Sequence, residues 1–354
     1  MTIHFTLPYA RPEWPLVEAL KGGLGDVSVD CGEWSTLTYK SRSALVWFNL
    51  KLAAFAFTSV RRALRQHPAV STLVVATDAE LIGAALASAL ARRRPRRVLL
   101  GFIYTARASN LLSRLRLTLF KTILSLADGV ICYSRHESER YAALFALGAT
   151  RFVSIPYGLH VSDTSRAPDD SHPYVLSAGR SGRDYATLAR AAALLPAVRF
   201  RIICDSLAPL SGIQFPANVE VLRSCVGGEY FDVLRRALLV VVPLTYEEIS
   251  SGQMVLLQAK ALGKAAIVTR TPTSIEYGEH MRDLFFVEAG DPQQLSEAIE
   301  LLASNESLRS EMGRRASEQY REVHSMTAFA RNLVVATQLL CGDAQEHSKA
   351  HKEY

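Results

Sequence analysis

Short apolar runs alternate along the chain with longer amphipathic segments, and this alternation predicts strands and helices. The apolar runs contain few polar residues, as is typical of parallel strands buried on both faces of a sheet. The runs predicted to be strands are Ile3–Leu7, Val27–Val29, Thr72–Ala76, Val98–Ile103, Gly129–Tyr133, Arg151–Ile155, Tyr174–Ser177, Phe200–Cys204, Val219–Leu222, Leu238–Pro243, Ala265–Thr269 and Phe285–Val287. Strands that alternate with helices in this way indicate an α/β fold with parallel sheets.

The amphipathic segments predict the helices that cover these sheets. They are Ala44–Arg65, Glu80–Arg93, Leu111–Ala127, Tyr185–Leu195, Tyr230–Arg236, Val255–Leu262, Pro292–Ser304, Ser307–Glu322 and Met326–Leu340. The polar stretch Ser162–His172 interrupts the alternation and has the composition of a linker. The pattern therefore predicts two doubly wound domains, residues 1–163 and 173–325, then a closing helix at 326–341 and a flexible tail at 342–354. Ligands of such sheets bind at the carboxyl ends of the strands.

Composition and charge narrow the class of protein. The chain has 354 residues, of which 49% are hydrophobic, and this share excludes a disordered chain. Residues 1–163 carry 20 basic and 11 acidic side chains, whereas the remainder carries 20 and 23. We therefore expect the first half to meet an anionic partner.

The cysteines and the apolar segments bear on location. The five cysteines are scattered, without the spacing of a zinc or redox site, and favour a reducing, cytoplasmic setting. The start of the chain does not resemble a signal peptide, and Lys51 interrupts the most apolar stretch, Ser43–Val60. We expect a cytoplasmic protein that neither spans a membrane nor is secreted.

A glycine-rich turn follows the first strand of the second half. Gly179, Arg180, Gly182 and Arg183 lie between this strand and the next helix. Glycines let a backbone approach a ligand closely, and the planar guanidinium fork of arginine can bind two phosphate oxygens at once. A glycine-rich turn with surface arginines explains the same residues equally well.

A second strand, loop and helix start lies further along. Ser250 or Ser251 is the predicted N-cap, and the N–H groups of Gly252, Gln253 and Met254 would then point out of the helix. Such a helix start can bind an anion, although ordinary capping is the simpler interpretation. In the helix that follows, Gln258 is a polar residue in an apolar run, so it either satisfies a neighbour or reaches a ligand hydroxyl.

Taken together, the segment from Tyr174 to about Leu340 resembles the donor-binding domain of retaining GT-B glycosyltransferases, especially glycosyltransferase family four. The resemblance rests on Gly179-Arg180, on PLTYEEISSGQMVLLQAKALGKAAIVTRT, on GDPQQLSEAIELLASNESLRSEMG and on the closing helix. It implies a GT-B fold, with two Rossmann-like doubly wound domains facing across a cleft and the C-terminal helix crossing back to the first domain. It also implies a metal-independent enzyme that transfers a sugar from a nucleotide-sugar, a UDP-sugar before a GDP-sugar, to a glycan or lipid-linked acceptor in surface polysaccharide assembly.

The resemblance implies roles for individual residues. Arg180 would hold the diphosphate, Arg183 would supply a partner charge, and both are the predicted catalytic residues. The remaining predicted donor-binding residues are Gly179, Cys225, Val226, Glu248, Ser250, Gly252, Gln253, Met254 and Gln258. Cys225 and Val226 would face the base through their backbone groups.

The sequence departs from the family pattern at two positions. The family has two glutamates separated by seven residues, and Ser250 and Gln258 stand there in this chain. Gln258 can still bond ribose hydroxyls, whereas Ser250 is too short to reach the donor sugar, and Glu247 or Glu248 would do so from a shifted register. A catalytically silent relative that binds a nucleotide-sugar or a partner protein is the alternative. An epimerase on the same fold would need acidic or histidine residues lining the cleft, and few are found.

The first half contains the candidate acceptor site and a candidate membrane contact. Residues at predicted strand ends are the acceptor candidates, each of which could instead be a helix cap or a surface residue: Asp78, Tyr104, Arg107 and His136. The predicted helix that begins at Leu111 combines leucines with Arg114, Arg116 and Lys121 and could lie on an anionic membrane at the inner face of the plasma membrane. A core-facing helix with a solvated basic face fits equally well. Nucleic acid is not an expected partner, since no basic motif is interleaved with aromatic residues.

Overall fold

The computed structural model describes residues 2–22, 26–34, 41–105, 111–162, 172–245 and 249–342. The chain divides into two compact units, one made of Met1–Pro156 with Phe329–Tyr354 and the other of Tyr157–Ala328. The first unit ends before the predicted boundary at residue 163. The reason is local packing, because Tyr157, Leu159 and Val161 join the hydrophobic core of the second unit.

The first unit is built on a parallel sheet with helices against it. Its strands are β1 (Thr2–Leu7), β2 (Val27–Cys31), β3 (Val70–Val75), β4 (Arg96–Leu100), β5 (Gly129–Cys132) and β6 (Phe152–Ser154). They lie in the order β2-β1-β3-β4-β5-β6. The helices before Phe152 are α1 (Pro15–Lys21), α2 (Arg42–Gln66), α3 (Asp78–Leu90), α4 (Leu111–Leu124) and α5 (Arg135–Phe145), followed by a 3-10 turn at Ala149–Arg151.

The second unit repeats this architecture with a different strand order. Its strands are β7 (Tyr174–Ala178), β8 (Arg199–Ile203), β9 (Val219–Leu222), β10 (Leu239–Val242), β11 (Ala266–Thr269) and β12 (Phe285–Val287). All pairs are parallel, in the order β12-β11-β10-β7-β8-β9. The α-helices are α6 (Tyr185–Leu194), α7 (Gly227–Arg236), α8 (Gln253–Ala261), α9 (Pro292–Ser304) and α10 (Glu306–Gln319), and short 3-10 turns lie at Ala208–Leu210 and Ser274–Tyr277.

A final helix, α11 (Met326–Cys341), follows a π-helical turn at Tyr320–His324. Its residues from Phe329 onward belong to the first unit, where the Phe329 ring lies 6.1 Å from that of Tyr133 and Leu340 packs against Gly129. This confirms that the C-terminal helix crosses back to the first unit. The predicted helix Ser307–Glu322 is α10 and the π turn together.

The predicted strands and helices all occur, with ends shifted by a few residues, and they form the predicted parallel sheets. The predicted segments included neither the short helix α1 nor α5. Helix α5 begins with the polar residues Arg135–Arg140, which hide the apolar positions Tyr141 and Phe145, both buried in the core of the first unit. Apolar patterning therefore detects the elements whose apolar residues recur along their whole length.

One helix in the described ranges, Ser43–Gln66, has the length and apolar composition of a membrane span, and 22% of its most apolar window is buried inside the protein. Its second half packs into the first unit, where Val60 and Leu64 belong to the core. The five cysteines form no disulfide and are all free.

Candidate functional site

The carboxyl ends of β7 and β10 are the point where strand order reverses in the second sheet. Open α/β sheets bind ligands at such a switch point, because the connections on either side run to opposite faces and leave a crevice. Here the two loops are tied together. The Asp184 N–H donates to the Pro243 carbonyl at 3.0 Å, and the Thr245 N–H donates to the Gly182 carbonyl at 3.1 Å. The crevice is therefore lined by one hydrogen-bonded surface.

Arg183 holds the glycine loop after β7 from beneath. Its guanidinium donates to the carbonyls of Ala178 and Ser181, each at 2.8 Å, and only 9% of the residue is exposed. Gly179 has a φ of +110°, and a Cβ atom there would lie 2.4 Å from Nη2 of Arg183. The arginine therefore requires glycine at this position. Two of its donors bond the loop, so the partner charge predicted for Arg183 is a buried and fixed guanidinium.

Arg180 points outward from the same loop. Its Nη1 atom lies 3.2 Å from a carboxylate oxygen of Asp205, and the side chains are 57% and 55% exposed. Exposed pairs of this kind are weak, so an arriving anion can displace the carboxylate. Asp205 was not singled out in the sequence, although its place directly after the predicted strand Phe200–Cys204 was a usable signal.

The N-cap of helix α8 is Gly252, which corrects the predicted N-cap at Ser250 or Ser251. Gly252 has a left-handed φ of 81°, and within the described residues no side chain caps the helix. A Cβ atom at Gly252 would lie 2.7 Å from Val242 and 3.6 Å from Nη1 of Arg183. The buried guanidinium is therefore next to the start of α8, where the N–H groups of Gln253 and Met254 carry the positive end of the helix dipole.

Gln258 is held by a tyrosine from the neighbouring helix. The Tyr230 hydroxyl donates to Oε1 of Gln258 at 2.6 Å, and Gln258 is only 9% exposed. Burial raises the pKa of Tyr230 and so keeps the phenol a proton donor. The bond turns the amide carbonyl of Gln258 toward Tyr230. Tyr230 was not among the predicted site residues, because the sequence shows it only as an aromatic residue of a predicted helix.

The other predicted donor-binding residues lie around the same switch point, or outside the described residues. Cys225 is 6% exposed and Val226 is 69% exposed just before α7, and burial raises the pKa of the Cys225 thiol. Gln253 donates to the Tyr277 hydroxyl at 2.8 Å. Ser250 is half-buried, and Glu248 lies outside the described residues.

The acceptor candidates of the first unit are dispersed. Asp78 begins α3 and His136 lies in the first turn of α5, so they follow β3 and β5, which are separated by β4. Tyr104 is only 3% exposed, and its ring packs against Phe120 and other core aromatics. The expectation that the Tyr104 ring opens onto a ligand is therefore wrong. Arg107 lies outside the described residues.

The switch point of the first sheet, between β1 and β3, is closed by a buried acid that sequence analysis did not identify. Glu80 is fully buried and accepts hydrogen bonds from the hydroxyls of Thr6, at 2.7 Å, and Thr77, at 3.0 Å. Burial raises its pKa from 4.5 to about 8. Thr77 also caps α3 by accepting from the Glu80 N–H, so the pair forms a reciprocal capping box.

No cluster of three or more histidine, cysteine or acidic side chains able to hold a metal occurs in the described ranges. The charged groups described around the second switch point include Arg180, Arg183 and Asp205. Asp184 lies there too, but its carboxylate caps α6 by accepting from the Thr187 N–H at 2.9 Å and from the Thr187 hydroxyl. This arrangement suits an anionic ligand, because a buried cation, an exposed cation and a helix start lie at the ends of adjacent strands.

Residues 172–305, which lie within the second unit, match the family model for glycosyl transferases group 1. Solved glycosyltransferases have similar structures. A glycosyltransferase from Rickettsia africae is 12% identical with a TM-score of 0.68, over 97% of this chain and 99% of that chain. HepE from Anabaena, solved in complex with UDP and glucose, is 14% identical with a TM-score of 0.65, over 95% and 99%.

The lipopolysaccharide outer core galactosyltransferase WaaB is 10% identical with a TM-score of 0.59, over 96% of this chain and 100% of that chain. No curated protein sequence matches the chain. The structural likenesses confirm the two-unit GT-B fold. The family match within the second unit confirms the resemblance, and together these findings indicate a glycosyltransferase.

Proposed function

We propose, from the group 1 glycosyl transferase match in the second unit, that the chain transfers a sugar from a UDP-sugar to a glycan or lipid-linked acceptor. We also propose retention of configuration at the anomeric carbon and turnover without a metal ion. One observation carries the proposal. Arg183 lies beside the start of α8, with Arg180 on the same loop, at the switch point inside the matched segment.

The chemistry that these groups support is departure of a nucleoside diphosphate. Breaking the bond to the sugar leaves negative charge on the phosphate oxygens. Fixed donors stabilise such charge because they need no reorganisation during the reaction. Arg180 would exchange Asp205 for the diphosphate, while Arg183 and the first N–H groups of α8 would supply fixed positive charge from the protein side.

The donor base and sugar would meet the neighbouring groups. The backbone at Cys225 and Val226 would face the base, and the Gln258 amide nitrogen would bond the ribose. HepE, a neighbour of similar fold, was solved with UDP and glucose, which supports UDP as the donor nucleotide. Glu248 would contact the donor sugar in place of the absent family glutamate.

The acceptor would bind at the first unit, with Asp78 and His136 as its remaining candidates among the described residues. WaaB is by name a lipopolysaccharide outer core galactosyltransferase, which supports a saccharide acceptor in surface polysaccharide assembly. The proposed place of action is the cytoplasmic face of the plasma membrane.

Calorimetric titration with UDP, GDP and their common sugar conjugates tests the donor site. We expect one nucleotide to bind, and Arg180→Ala to weaken that binding about tenfold to a hundredfold, as expected for loss of a charge-assisted hydrogen bond. Arg199→Ala is the charge-matched control, because Arg199 is exposed at the opposite, amino end of β8. Unchanged binding by Arg180→Ala would refute the assignment of this residue to the diphosphate.

A turnover assay distinguishes the proposed enzyme from a catalytically silent relative. Ser250 and Gln258 stand where the family has glutamates, and this favours a catalytically silent relative as the second candidate. That protein would bind the nucleotide without releasing UDP from any donor and acceptor pair. Failure of every nucleotide to bind would contradict the enzyme and a silent nucleotide-binding relative, and would favour a silent relative that binds a partner protein.

A further inference from the structure

The outward faces of three helices in the first unit expose aliphatic side chains. Helix α3 contacts both α2 and α4. The exposed fractions of Leu111, Leu112, Leu115 and Leu119 on α4 are 73%, 75%, 59% and 58%. These four residues are the α4 leucine face. Further exposed apolar side chains on α2 and α3 complete what we call the apolar surface: Leu45, Val46, Trp47, Leu50, Ile82, Leu86 and Leu90.

Helix α4 is apolar on two sides. Leu117, Phe120 and Leu124 pack into the core of the unit, as one apolar face of a surface helix should. The α4 leucine face lies on the other side, where Leu111, Leu115 and Leu119 follow each other at the four-residue spacing of one helix face. Folding of the unit does not bury these leucines.

The cations of α4 are divided between two environments. The Arg116 guanidinium lies 4.6 Å from the centre of the Tyr104 ring and donates to the Thr105 carbonyl at 3.0 Å. These contacts hold Arg116 against the first unit. Arg114 and Lys121 are exposed along one edge of the α4 leucine face, seven residues or about two helical turns apart.

The exposed charges of α2 and α4 are positive, whereas α3 begins with the half-buried Asp78. Lys51 is exposed near Trp47 on α2, and neither α2 nor α4 contains an aspartate or glutamate. An exposed apolar face bordered by lysine and arginine has the composition of an interfacial helix. Tryptophan and lysine are also enriched at the level of lipid headgroups.

We propose that the apolar surface docks on a bilayer of anionic lipids, with the α4 leucine face entering the headgroup region and Arg114, Lys121 and Lys51 contacting the lipid phosphates. Helix α2 contributes its first turns and does not span the bilayer. Its residues Leu52 and Val60 are buried against the rest of the unit, so insertion of the whole helix would expose the core. The proposal concerns the first unit alone and does not depend on the nucleotide site.

Vesicle co-sedimentation of the full chain, without any nucleotide, tests the proposal. The probes are vesicles of phosphatidylcholine alone and of phosphatidylcholine with phosphatidylglycerol in equal parts. We expect binding only to the anionic vesicles, weakening as salt is added, because mobile ions screen the attraction. Replacing the α4 leucine face by serine should lower binding at least about tenfold. Because these side chains are exposed, Tm should fall only by the few degrees that the lower helix propensity of serine costs.

Two further variants separate the contributions of charge and apolar area. Arg114→Gln with Lys121→Gln should lower binding roughly thirtyfold, as expected for two cations near an anionic surface. Leu194→Ser with Leu207→Ser, at exposed apolar positions of the second unit, is the matched control and should bind like the unaltered chain. Equal binding to neutral and anionic vesicles, or full binding by the serine variant, would overturn the proposal. The proposal would also be overturned if the unaltered chain were a dimer and the serine variant a monomer, because the apolar surface would then be a contact between two copies.

Discussion

The two sheets have the same number of strands, all parallel, yet their switch points are built from opposite chemistry. Between β7 and β10 the chain presents glycines with left-handed backbone, two arginines and a helix start that no described side chain caps. Between β1 and β3 it places a fully buried carboxyl group, bonded by two threonines, with a capped helix start. One edge is arranged for an anion from outside, and the other is closed by the protein itself.

The difference shows that fold alone does not make a binding site. Both helix starts have the same backbone dipole. In α3 the Thr77 hydroxyl already accepts from the Glu80 N–H, whereas in α8 the cap is Gly252 and Arg183 lies beside it. The side chains at each edge therefore decide whether the dipole is used for folding or left for a ligand.

Gly179→Ala should disrupt the second switch point and have the largest effect. The new Cβ atom would lie 2.4 Å from the Arg183 guanidinium at a backbone φ of +110°. We expect kcat/KM to fall about a hundredfold, the cost of displacing a site by about 1 Å. Gly212→Ala is the control, because its φ is +76° and no described atom lies within 4 Å of the added carbon. Equal loss in both variants would mean that backbone strain, and not displacement of Arg183, is responsible.

Glu80→Gln tests the closed edge through the pH dependence of stability. The pKa of Glu80 is raised from 4.5 to about 8, so the folded protein keeps a proton that the unfolded chain releases near pH 4.5. This stabilising contribution is complete below pH 4.5 and is lost as pH rises toward 8. The neutral amide does not titrate, so Tm of the variant relative to the unaltered chain should rise by a few degrees across this window.

Glu139→Gln, at an exposed position of α5, controls for the loss of one carboxylate elsewhere in the first unit. A constant difference in Tm between Glu80→Gln and the unaltered chain across the window would contradict the buried neutral acid. The hydroxyls of Thr6 and Thr77 would then be holding a carboxylate anion, and the two edges would differ less than we infer.

Tyr230→Phe tests the switch point between β7 and β10 and should have the smallest effect of these variants. The variant removes the hydroxyl that donates to Gln258. Nucleotide affinity should fall about fivefold, the worth of one neutral hydrogen bond. Tyr174→Phe is matched to it, since the Tyr174 hydroxyl donates at 2.7 Å to the Val233 carbonyl of the same helix α7. Calorimetry showing equal losses would indicate that α7 packing, and not the orientation of Gln258, matters.

Apolar patterning predicted most of the fold, because a strand buried on both faces and an amphipathic helix each have a local periodicity. It missed the short helix α1 and also α5, whose first residues are polar, and it failed at the end of α10, where the helix changes to a π turn. The motifs after β7 and β10 located the candidate donor site, since the topology of a doubly wound sheet brings these two strand ends together.

The sequence by itself determined the elements, the parallel sheets and the segment that resembles a donor-binding domain. Only the tertiary structure decided where individual side chains point. Arg183 turns inward because the Ala178 and Ser181 carbonyls accept its protons, and Arg116 turns to Tyr104. Leucines of α4 face outward because Leu117 and Phe120 already fill the core side of that helix. Such orientations depend on contacts between residues distant in the chain, whereas periodicity reports only neighbours along it.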